Sequence, residues 1–298
     1  MKNVLLTGGT GIIGSVLTKK LIDKGYTPVV LSTSTSNRKA GIYKWNPRKK
    51  THSLLPYDNF YGIINLAGAS IAETKWNTKG KKEILESRVN STLYLKDIIE
   101  SFSKPPAQII SVSAIGYYGL FNDNIKNETS PPGKDFAAQV CVQWEEVATK
   151  LQNSISQLSI LRLGIVMSKT GGFFKKIRNL AKWKIASPIG NGKQPVCWIH
   201  IEDTTDLIID ILENRIPPDT YNLVANCNTN KEVTKNIAFN NGQKFLRPAI
   251  PGIFIRMIFG KKGELFTSSC SIDSDKLKKA GFKFKYSNID DAIKNLSS

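Results

Sequence analysis

A run of glycines near the start of the chain has the spacing of a phosphate-binding turn. Glycine occurs at every third position, at residues 8, 11 and 14, within the sequence TGGTGIIG. Glycine permits a tight turn and lets backbone N–H groups approach a pyrophosphate, which then lies at the positive end of the next helix. Because an apolar run precedes the turn and an amphipathic segment follows it, the pattern predicts a dinucleotide site rather than a turn without a ligand. The residues expected to bind the dinucleotide there are Thr7, Gly8, Gly9, Thr10, Gly11, Ile12, Ile13 and Gly14.

The end of the second predicted strand indicates which dinucleotide is bound. An acidic side chain there would hold the adenosine ribose of NAD, whereas a basic side chain would accept the 2′-phosphate of NADP. Residues 31–39 read LSTSTSNRK and contain no carboxylate. We therefore expect Ser32, Thr33 and Arg38 to bind this phosphate, with Lys39 as a further cation, so NADP(H) is favoured over NAD(H). The alternative is that Arg38 and Lys39 are ordinary residues of an exposed loop.

Short apolar runs alternate with segments of helical period along the chain, which is typical of βαβ units and a parallel sheet. One helix is predicted from residue 13 to 24, ending at Gly25, and another from 135 to 151, with Asp135 as its cap. We predict an α/β fold, a Rossmann-type doubly wound parallel sheet with a smaller C-terminal substrate-side lobe. The strand candidates are residues 4–7, 28–32, 61–66, 108–113, 159–166 and 221–224.

Two unequal domains are expected from the length and from a change of pattern after Val166. Residues 1–167 are predicted to form the Rossmann domain, completed by residues 203–226, where a helix over 204–212 and a strand restore the βα pattern. Residues 168–202 and 227–298 are predicted to form the smaller domain. A small-molecule substrate would then occupy the cleft between the two lobes.

Further motifs carry a resemblance to a known family. Together with TGGTGIIG, the sequences INLAG at residues 64–68 and SAIGYYG at 113–119 resemble the extended short-chain dehydrogenase/reductases. More narrowly, WIHIED at 198–203 and KLKKAGFKF at 276–284 resemble the atypical, nucleoside-diphosphate-sugar epimerase-like group, over nearly the whole chain. The resemblance implies an NADP-binding Rossmann domain. The cofactor contacts expected beyond the turn are Leu66, Ala67, Gly68 and Ser113, the last three near the nicotinamide.

The sequence departs from the family at the residues that usually do the chemistry. The usual enzymes carry Tyr and Lys in a YxxxK arrangement on one helix, together with a Ser, and here Ala137 and Cys141 occupy the Tyr and Lys positions. Ser113 is retained, and Arg88 stands where an Asn is often found. The candidate catalytic residues are Ser113, Tyr117, Tyr118 and Arg88. We expect one of these tyrosines to be the substitute acid, with Arg88 or the basic groups on the pyrophosphate side lowering its pKa; the alternative is that both tyrosines pack as aromatic walls.

The resemblance implies an NADP-dependent oxidoreductase or epimerase-like protein that acts by hydride transfer on a carbonyl or alcohol, with nucleotide sugars among the substrates to consider. The alternative is a non-catalytic NADP-binding sensor or scaffold that has lost the Tyr/Lys pair. The sequence does not distinguish between them.

Composition limits the partners of the protein. The formal net charge is +18, but the lysines are scattered and accompany no nucleic-acid-binding motif, so no specific nucleic-acid partner is expected. The two histidines and four separated cysteines predict no metal site and fit a reducing compartment. Since neither a leader nor an apolar run of about 18 residues is present, we expect a cytoplasmic protein without a membrane partner. The oligomeric state is left open.

Two further polar residues have two interpretations each. Arg162 lies in an otherwise apolar strand, where it must have a partner if buried, either in an ion pair or at a ligand. His200 either orients a substrate or caps a helix that begins near Asp203.

Overall fold

A computed structural model describes residues 2–71, 73–119, 124–153, 155–182, 187–245 and 270–298 of the chain. The chain divides into two compact units. The first contains Met1–Ser113, Val140–Arg162 and Thr205–Tyr221, and the second contains Ala114–Gln139, Leu163–Thr204 and Asn222–Ser298. These bounds differ from the predicted domains mainly in residues 114–139, which belong to the second unit. Residues 246–269 of the predicted smaller domain lie outside the described residues.

Eleven strands are present in the described residues, and we number them in chain order. They are β1 (Lys2–Thr7), β2 (Tyr26–Ser32), β3 (Ile42–Asn46), β4 (Thr51–His52), β5 (Gly62–Asn65), β6 (Gln108–Ala114), β7 (Gln157–Leu163), β8 (Ile165–Met167), β9 (Pro195–His200), β10 (Thr220–Leu223) and β11 (Asn226–Thr229). The helices are α1 (Ile12–Asp23), α2 (Thr78–Glu100), α3 (Phe136–Thr149), α4 (Gly172–Lys182), α5 (Ile201–Leu212), α6 (Asn230–Asn240), α7 (Asp275–Lys279) and α8 (Ile289–Ser297).

The large sheet has eight strands in the order β10-β7-β6-β5-β1-β2-β3-β4. The pairings β1 with β2, β1 with β5, β2 with β3 and β5 with β6 are parallel, and the short β4 runs antiparallel to β3. The chain builds outward from β1 in one direction and then returns to add β5 on its other side. That reversal is the topological switch point at which open α/β sheets bind ligands, beyond the carboxyl ends of the strands. The predicted fold class is confirmed.

The central strands are buried on both faces, which explains their continuous apolar sequence. Val4, Leu5 and Leu6 of β1 are 0% exposed, as are Ile63 and Ile64 of β5. Apart from the 159–166 candidate, the predicted strands are confirmed, with bounds that shift by one or two residues. The cap of α3 is also confirmed, because Asp135 Oδ1 accepts a hydrogen bond from Ala138 N at 3.0 Å.

The single strand predicted over residues 159–166 is wrong. Residues 157–163 form β7 of the large sheet, whereas residues 165–167 form β8 of a separate sheet with the order β11-β9-β8. Gly164 lies at the break, where a Cβ would be 2.9 Å from the Cys197 carbonyl oxygen and 3.1 Å from Val224 Cγ2. The apolar run is continuous in sequence, so its pattern gives no sign that the two halves join different sheets.

His200 caps the helix that follows β9, one of its two predicted roles. Its Nδ1 accepts a hydrogen bond from Glu202 N at 3.1 Å, and its ring packs on that of Tyr286. The helix α5 begins at Ile201, three residues before the predicted start at residue 204. Asp203 is fully buried and accepts hydrogen bonds from Lys285 N at 2.7 Å and Tyr286 N at 3.1 Å. These contacts join the end of β9 to the C-terminal part of the second unit.

Two of the four cysteines are joined, which the sequence analysis did not anticipate. Cys197 and Cys227 lie opposite each other on the antiparallel strands β9 and β11 and form a disulfide. The pair is separated by 30 residues, so spacing alone could not reveal it. Cys141 and Cys270 are buried and do not take part in this disulfide. Among the described helices, none combines the length and the apolar character needed to cross a membrane.

Replacement of Gly164 by Ala tests the tight junction between the two sheets. Gly164→Ala should lower the free energy of unfolding by about 1–3 kcal/mol, because the added methyl meets a backbone oxygen that cannot move aside. Urea unfolding followed by circular dichroism measures this change. Lys19→Ala, at an exposed position of α1, is the control and should change the free energy of unfolding by less than about 0.5 kcal/mol. Equal stability of the two variants would contradict the interpretation.

Candidate cofactor and active site

The turn between β1 and α1 has no room for side chains at two of its glycines. Gly8 has φ +68°, and a Cβ there would lie 2.6 Å from the Leu66 carbonyl oxygen. A Cβ on Gly14 would lie 2.4 Å from the Gly8 carbonyl oxygen. The turn therefore packs backbone against backbone, onto itself and onto the segment after β5. This is the close approach that a dinucleotide-binding turn requires.

The outer side of the same turn is open. Thr10, Gly11 and Ile12 are exposed, and Gly11 is the N-cap of α1 with no side-chain hydrogen bond to the first helical N–H groups. No acidic residue occupies the first turn of α1. The N-terminal end of this helix thus keeps its positive partial charge and its N–H donors available for an anion. The turn fits the pyrophosphate of a dinucleotide.

A buried polar network fixes the strand ends beneath the turn. Thr7 Oγ1 donates to Asn65 Oδ1 at 2.7 Å, and Asn65 Nδ2 donates to Thr92 Oγ1 at 3.0 Å and Ser111 Oγ at 3.2 Å. All four residues are 0% exposed, so the network joins β1, β5, β6 and α2 without contact with solvent. The Thr7 hydroxyl proton is therefore engaged within this network and is not available to a cofactor.

The end of β2 carries more positive charge than the sequence analysis identified. Ser32 is buried and accepts a hydrogen bond from Thr35 N at 3.3 Å, whereas Thr33 and Arg38 are exposed. Lys44 pairs in register with Ser32, and its Nζ donates to the Thr33 carbonyl oxygen at 2.6 Å. Lys44 was missed because β3 was not predicted. The alternation of buried and exposed residues over 42–46 is the signal that could have revealed this strand.

Ser113, at the end of β6, belongs to a buried charged network. Its hydroxyl donates to Glu145 Oε1 at 2.7 Å. Arg162 binds the same carboxylate with two hydrogen bonds, from Nε to Oε1 at 2.9 Å and from Nη2 to Oε2 at 2.8 Å. Ser113, Glu145 and Arg162 are 2%, 9% and 5% exposed, respectively. Of the two interpretations of Arg162, the structure supports the ion pair.

The direction of the Ser113 hydrogen bond limits what its hydroxyl can do. Because the proton points to Glu145, the lone pairs of Ser113 Oγ remain to accept a hydrogen bond from a ligand. Arg162 binds both oxygens of Glu145 and so fixes the carboxylate to which the Ser113 hydroxyl donates. Glu145 was not among the candidate catalytic residues, since a Glu in an amphipathic helix usually lies at the surface.

Tyr118 is held by packing in the second unit. It is 2% exposed, its hydroxyl donates to Asn222 Oδ1 at 2.7 Å, and its ring belongs to an apolar cluster with Cys197 and Val224. Tyr117 is partly buried against the same cluster, with its ring 5.3 Å from that of Tyr118. For Tyr118 these contacts favour the role of an aromatic wall.

Arg88 lies within the first unit, between α2 and α3. It is 7% exposed, donates from Nη1 to the Ile84 carbonyl oxygen at 2.9 Å, and lies over the Trp144 ring, 4.9 Å from its centroid. Burial lowers the pKa of Arg88 to about 10, which leaves it cationic at neutral pH. Gly68 borders it, since a Cβ on Gly68 would lie 3.1 Å from Arg88 Cζ.

The remaining residues singled out from the sequence lie in the segment after β5 and on α3. Leu66 is partly buried, Ala67 is buried and Gly68 is exposed after β5. Ala137 and Cys141, at the family's Tyr and Lys positions, are both buried on α3. Within the described ranges, no group of three or more His, Cys, Asp or Glu side chains is arranged to hold a metal ion.

Removing one partner of the Glu145–Arg162 pair should destabilise the fold more than replacing both partners by apolar residues. Glu145→Gln is expected to lower the free energy of unfolding by about 3–5 kcal/mol, because it leaves a buried guanidinium without a counter-charge. The double variant Glu145→Leu/Arg162→Met should lose much less than the sum of its single variants, measured by urea unfolding. Asp97→Asn, which breaks the exposed pair with Lys50, is the control and should change stability by less than about 1 kcal/mol. Additive losses in the buried pair would contradict this account.

Comparisons with known proteins agree with the resemblance seen in the sequence. The model of the NAD dependent epimerase/dehydratase family matches residues 4–223, and that of a domain of unknown function, DUF1731, matches residues 250–296. An epimerase family protein of Staphylococcus aureus (strain MRSA252) is 28% identical over 304 residues, covering 100% of both chains.

Two solved structures are similar over nearly all of this chain. The human epimerase family protein SDR39U1 (isoform 2), solved with NADPH, has a TM-score of 0.88 at 26% identity and 99% coverage of both chains. The nucleoside-diphosphate sugar epimerase from Corynebacterium glutamicum has a TM-score of 0.76 at 27% identity, covering 98% of this chain and 57% of that one. The glycine turn, the parallel sheet and these matches lead to one conclusion: the chain belongs to the NAD dependent epimerase/dehydratase family.

Proposed function

We propose that the protein binds NADP(H) at the β1–α1 turn and transfers hydride between this cofactor and a carbonyl or alcohol substrate, as an oxidoreductase or an epimerase-like enzyme. The observation that carries the proposal is the buried network of Ser113, Glu145 and Arg162 at the carboxyl end of β6. In the sheet β6 is next to β5, and β5 is next to β1, which leads into the glycine turn. A buried proton acceptor therefore lies on the same edge of the sheet as the cofactor turn.

The choice of NADP(H) is supported by the charge at the end of β2. Arg38 and Lys39 are exposed there, Lys44 approaches from β3, and residues 31–39 contain no carboxylate. Exposed cations and hydroxyls suit a 2′-phosphate, whereas an NAD ribose would call for an acidic side chain. The similar human protein was solved with NADPH. The exposed Thr33 and the buried Ser32 would contribute hydroxyl groups.

The bound nicotinamide would supply the acceptor or donor of hydride, and the protein would supply position and proton transfer. In alcohol oxidation, Ser113 Oγ accepts the proton of the substrate hydroxyl as its own proton moves to Glu145. The carbon–hydrogen bond electrons leave as hydride, so the alcohol loses one hydride and one proton and becomes a carbonyl. Reduction follows the same path in reverse, with Glu145 returning the proton through Ser113. Arg162 holds the carboxylate in position for both directions.

The nature of the substrate is restricted to a small carbonyl or alcohol compound. The Corynebacterium relative is named a nucleoside-diphosphate sugar epimerase, which makes nucleotide sugars the first compounds to assay. A transient oxidation followed by reduction from the other face would give epimerisation, whereas a single transfer would give net oxidation or reduction. The cytoplasmic location and the absence of nucleic-acid and membrane partners stay predictions from composition.

A second candidate function is that of an NADP-binding sensor without catalysis. It is favoured by Ala137 and Cys141, which are buried at the positions where the family carries Tyr and Lys. The Tyr118 hydroxyl is already bonded to Asn222. A sensor would bind the cofactor through the same turn, so cofactor binding and turnover have to be tested separately.

The first test concerns the glycine turn and uses calorimetric titration with NADPH, NADP, NADH and NAD. Gly11 has φ −79° and is exposed at the N-cap of α1, so both Asp and Asn should fit there and cap the helix. Gly11→Asp should weaken NADPH binding at least ~10-fold more than Gly11→Asn, because a carboxylate repels the pyrophosphate. The unchanged chain should prefer NADP(H). Equal affinities of the two variants would argue against pyrophosphate binding at this turn.

The second test separates the enzyme from the sensor. Ser113→Ala should lower kcat for an active carbonyl substrate by about 100-fold or more, because the proton path to Glu145 is cut. Its NADPH affinity should stay within about twofold, since the change removes no phosphate contact. Transfer of deuterium from 4-deuterated NADPH to product provides the readout. Binding of NADPH without deuterium transfer to any carbonyl or nucleotide-sugar substrate would instead support the sensor.

A further inference from the structure

We propose that Arg88 and Trp144 form a binding site for an oxyanion, namely a carboxylate or phosphate group of the substrate. That the anion belongs to a substrate rests on the proposed function, whereas the anion site itself follows from the contacts of Arg88 and Trp144. It assigns to the unknown substrate a negative group in addition to its carbonyl or hydroxyl.

Arg88 has no carboxylate counter-charge within the part of the chain that the structure describes, and the titratable group that interacts with it there is the thiol of Cys141. Its hydrogen bond from Nη1 goes to the Ile84 carbonyl oxygen, a neutral partner on its own helix. Its guanidinium otherwise lies over the face of the Trp144 ring. No carboxylate of the described residues pairs with it, although the side chain is 7% exposed. Buried cations are normally paired, because water no longer stabilises the charge.

The neighbouring indole of Trp144 also has a polar group that lacks a partner among the described residues. Trp144 is 5% exposed, and its Nε1 is a buried donor for which the described residues provide no acceptor. Arg88 offers further N–H donors in a planar fork and has no acceptor of its own. Every unsatisfied group at this position is thus a donor, and one carries a positive charge. A carboxylate or phosphate is the complementary group, because it is anionic and only accepts hydrogen bonds.

The guanidinium of Arg88 borders the segment that follows β5. Gly68 follows β5, is exposed, and lies so close to Arg88 that a Cβ would be 3.1 Å from Cζ and 3.3 Å from Nε. A side chain at residue 68 would cover the guanidinium from this side. Glu145, the proposed proton acceptor, follows Trp144 on α3. An oxyanion at Arg88 would therefore be held beside the part of α3 that contributes to the reaction.

The phosphates of the cofactor are already accounted for elsewhere. The pyrophosphate is assigned to the β1–α1 turn and the 2′-phosphate to the end of β2, whereas Arg88 belongs to α2, between β5 and β6. The other buried cation of the first unit, Arg162, is neutralised by Glu145. Of these two arginines, only Arg88 lacks an anion.

Titration of the cofactor-saturated protein with acetate and with inorganic phosphate tests the site. Both are measured calorimetrically against sodium chloride of equal ionic strength. The unchanged chain should show saturable binding of at least one of them, and Arg88→Met should weaken it by about 10- to 100-fold, the loss of a charge-assisted pair. Arg88→Lys keeps the charge without the fork and should be intermediate. Trp144→Phe keeps the aromatic face, removes the N–H and should weaken binding by about 2- to 10-fold.

Lys79→Met, which removes an exposed cation from the same helix, is the matched control and should bind both anions like the unchanged chain. Arg88→Met should unfold at the same temperature as the unchanged chain or higher, because it removes an unbalanced buried charge. If Arg88→Met fails to fold, Arg88→Lys and Trp144→Phe carry the test alone.

Anion binding that is equal in the unchanged chain and in all three variants would overturn the proposal. Displacement of NADPH by the anion would also overturn it, since the site would then belong to the cofactor. Anion binding through Arg88 in a chain that binds no NADPH would support the oxyanion site and would reject the proposed function instead.

Discussion

The close backbone contact between the β1–α1 turn and the segment after β5 is the constraint on which the site depends. Gly8 lies against the Leu66 carbonyl oxygen, and Gly14 lies against Gly8, so neither position can hold a side chain. The contact brings the carboxyl ends of β1 and β5 together at the switch point of the sheet. The hydrogen bonds from Thr7 to Asn65, and from Asn65 onward, then fix these ends without water. A rigid edge of this kind can position a cofactor against a second group on β6.

The two buried arginines near this edge differ in their partners: Arg162 has a carboxylate partner, and Arg88 has none among the described residues. Arg162 is bound by both oxygens of Glu145, so its burial is compensated within the chain. Arg88 is equally buried but bonds only a neutral carbonyl and an aromatic face. Burial that lowers the pKa of a guanidinium also disfavours the folded state, because the charged form has lost its hydration. Packing does not require a charge at Arg88, since an apolar side chain of similar length would fill the same space.

Local patterns in the sequence predicted the parts of the protein that depend on near neighbours. The glycine turn, the central strands and the cap at Asp135 each depend on a few consecutive residues, and each is where the sequence placed it. Features that join distant segments were not predictable: Glu145 meets Arg162 on another element, and Cys197 meets Cys227 across two strands. The break at Gly164 was missed because burial makes both halves of the segment equally apolar. Of the predicted catalytic residues, Ser113 and Arg88 have surroundings that suit chemistry, whereas the Tyr118 hydroxyl is bonded to Asn222.

The substitution of Tyr and Lys on α3 favours a sensor, but the charges buried near β6 are more than a sensor needs. A sensor requires the glycine turn and the basic end of β2, and both are complete without any charge near β6. The first unit nevertheless buries charged groups on α2, α3 and β7, namely Arg88, Glu145 and Arg162, and of these Glu145 and Arg162 neutralise each other. The hydroxyl of Ser113 is held with its proton on that carboxylate, an orientation that a packing role does not need. Groups arranged to receive a proton and to hold an anion are useful for a reaction at the nicotinamide, and they weaken the fold if no reaction occurs there.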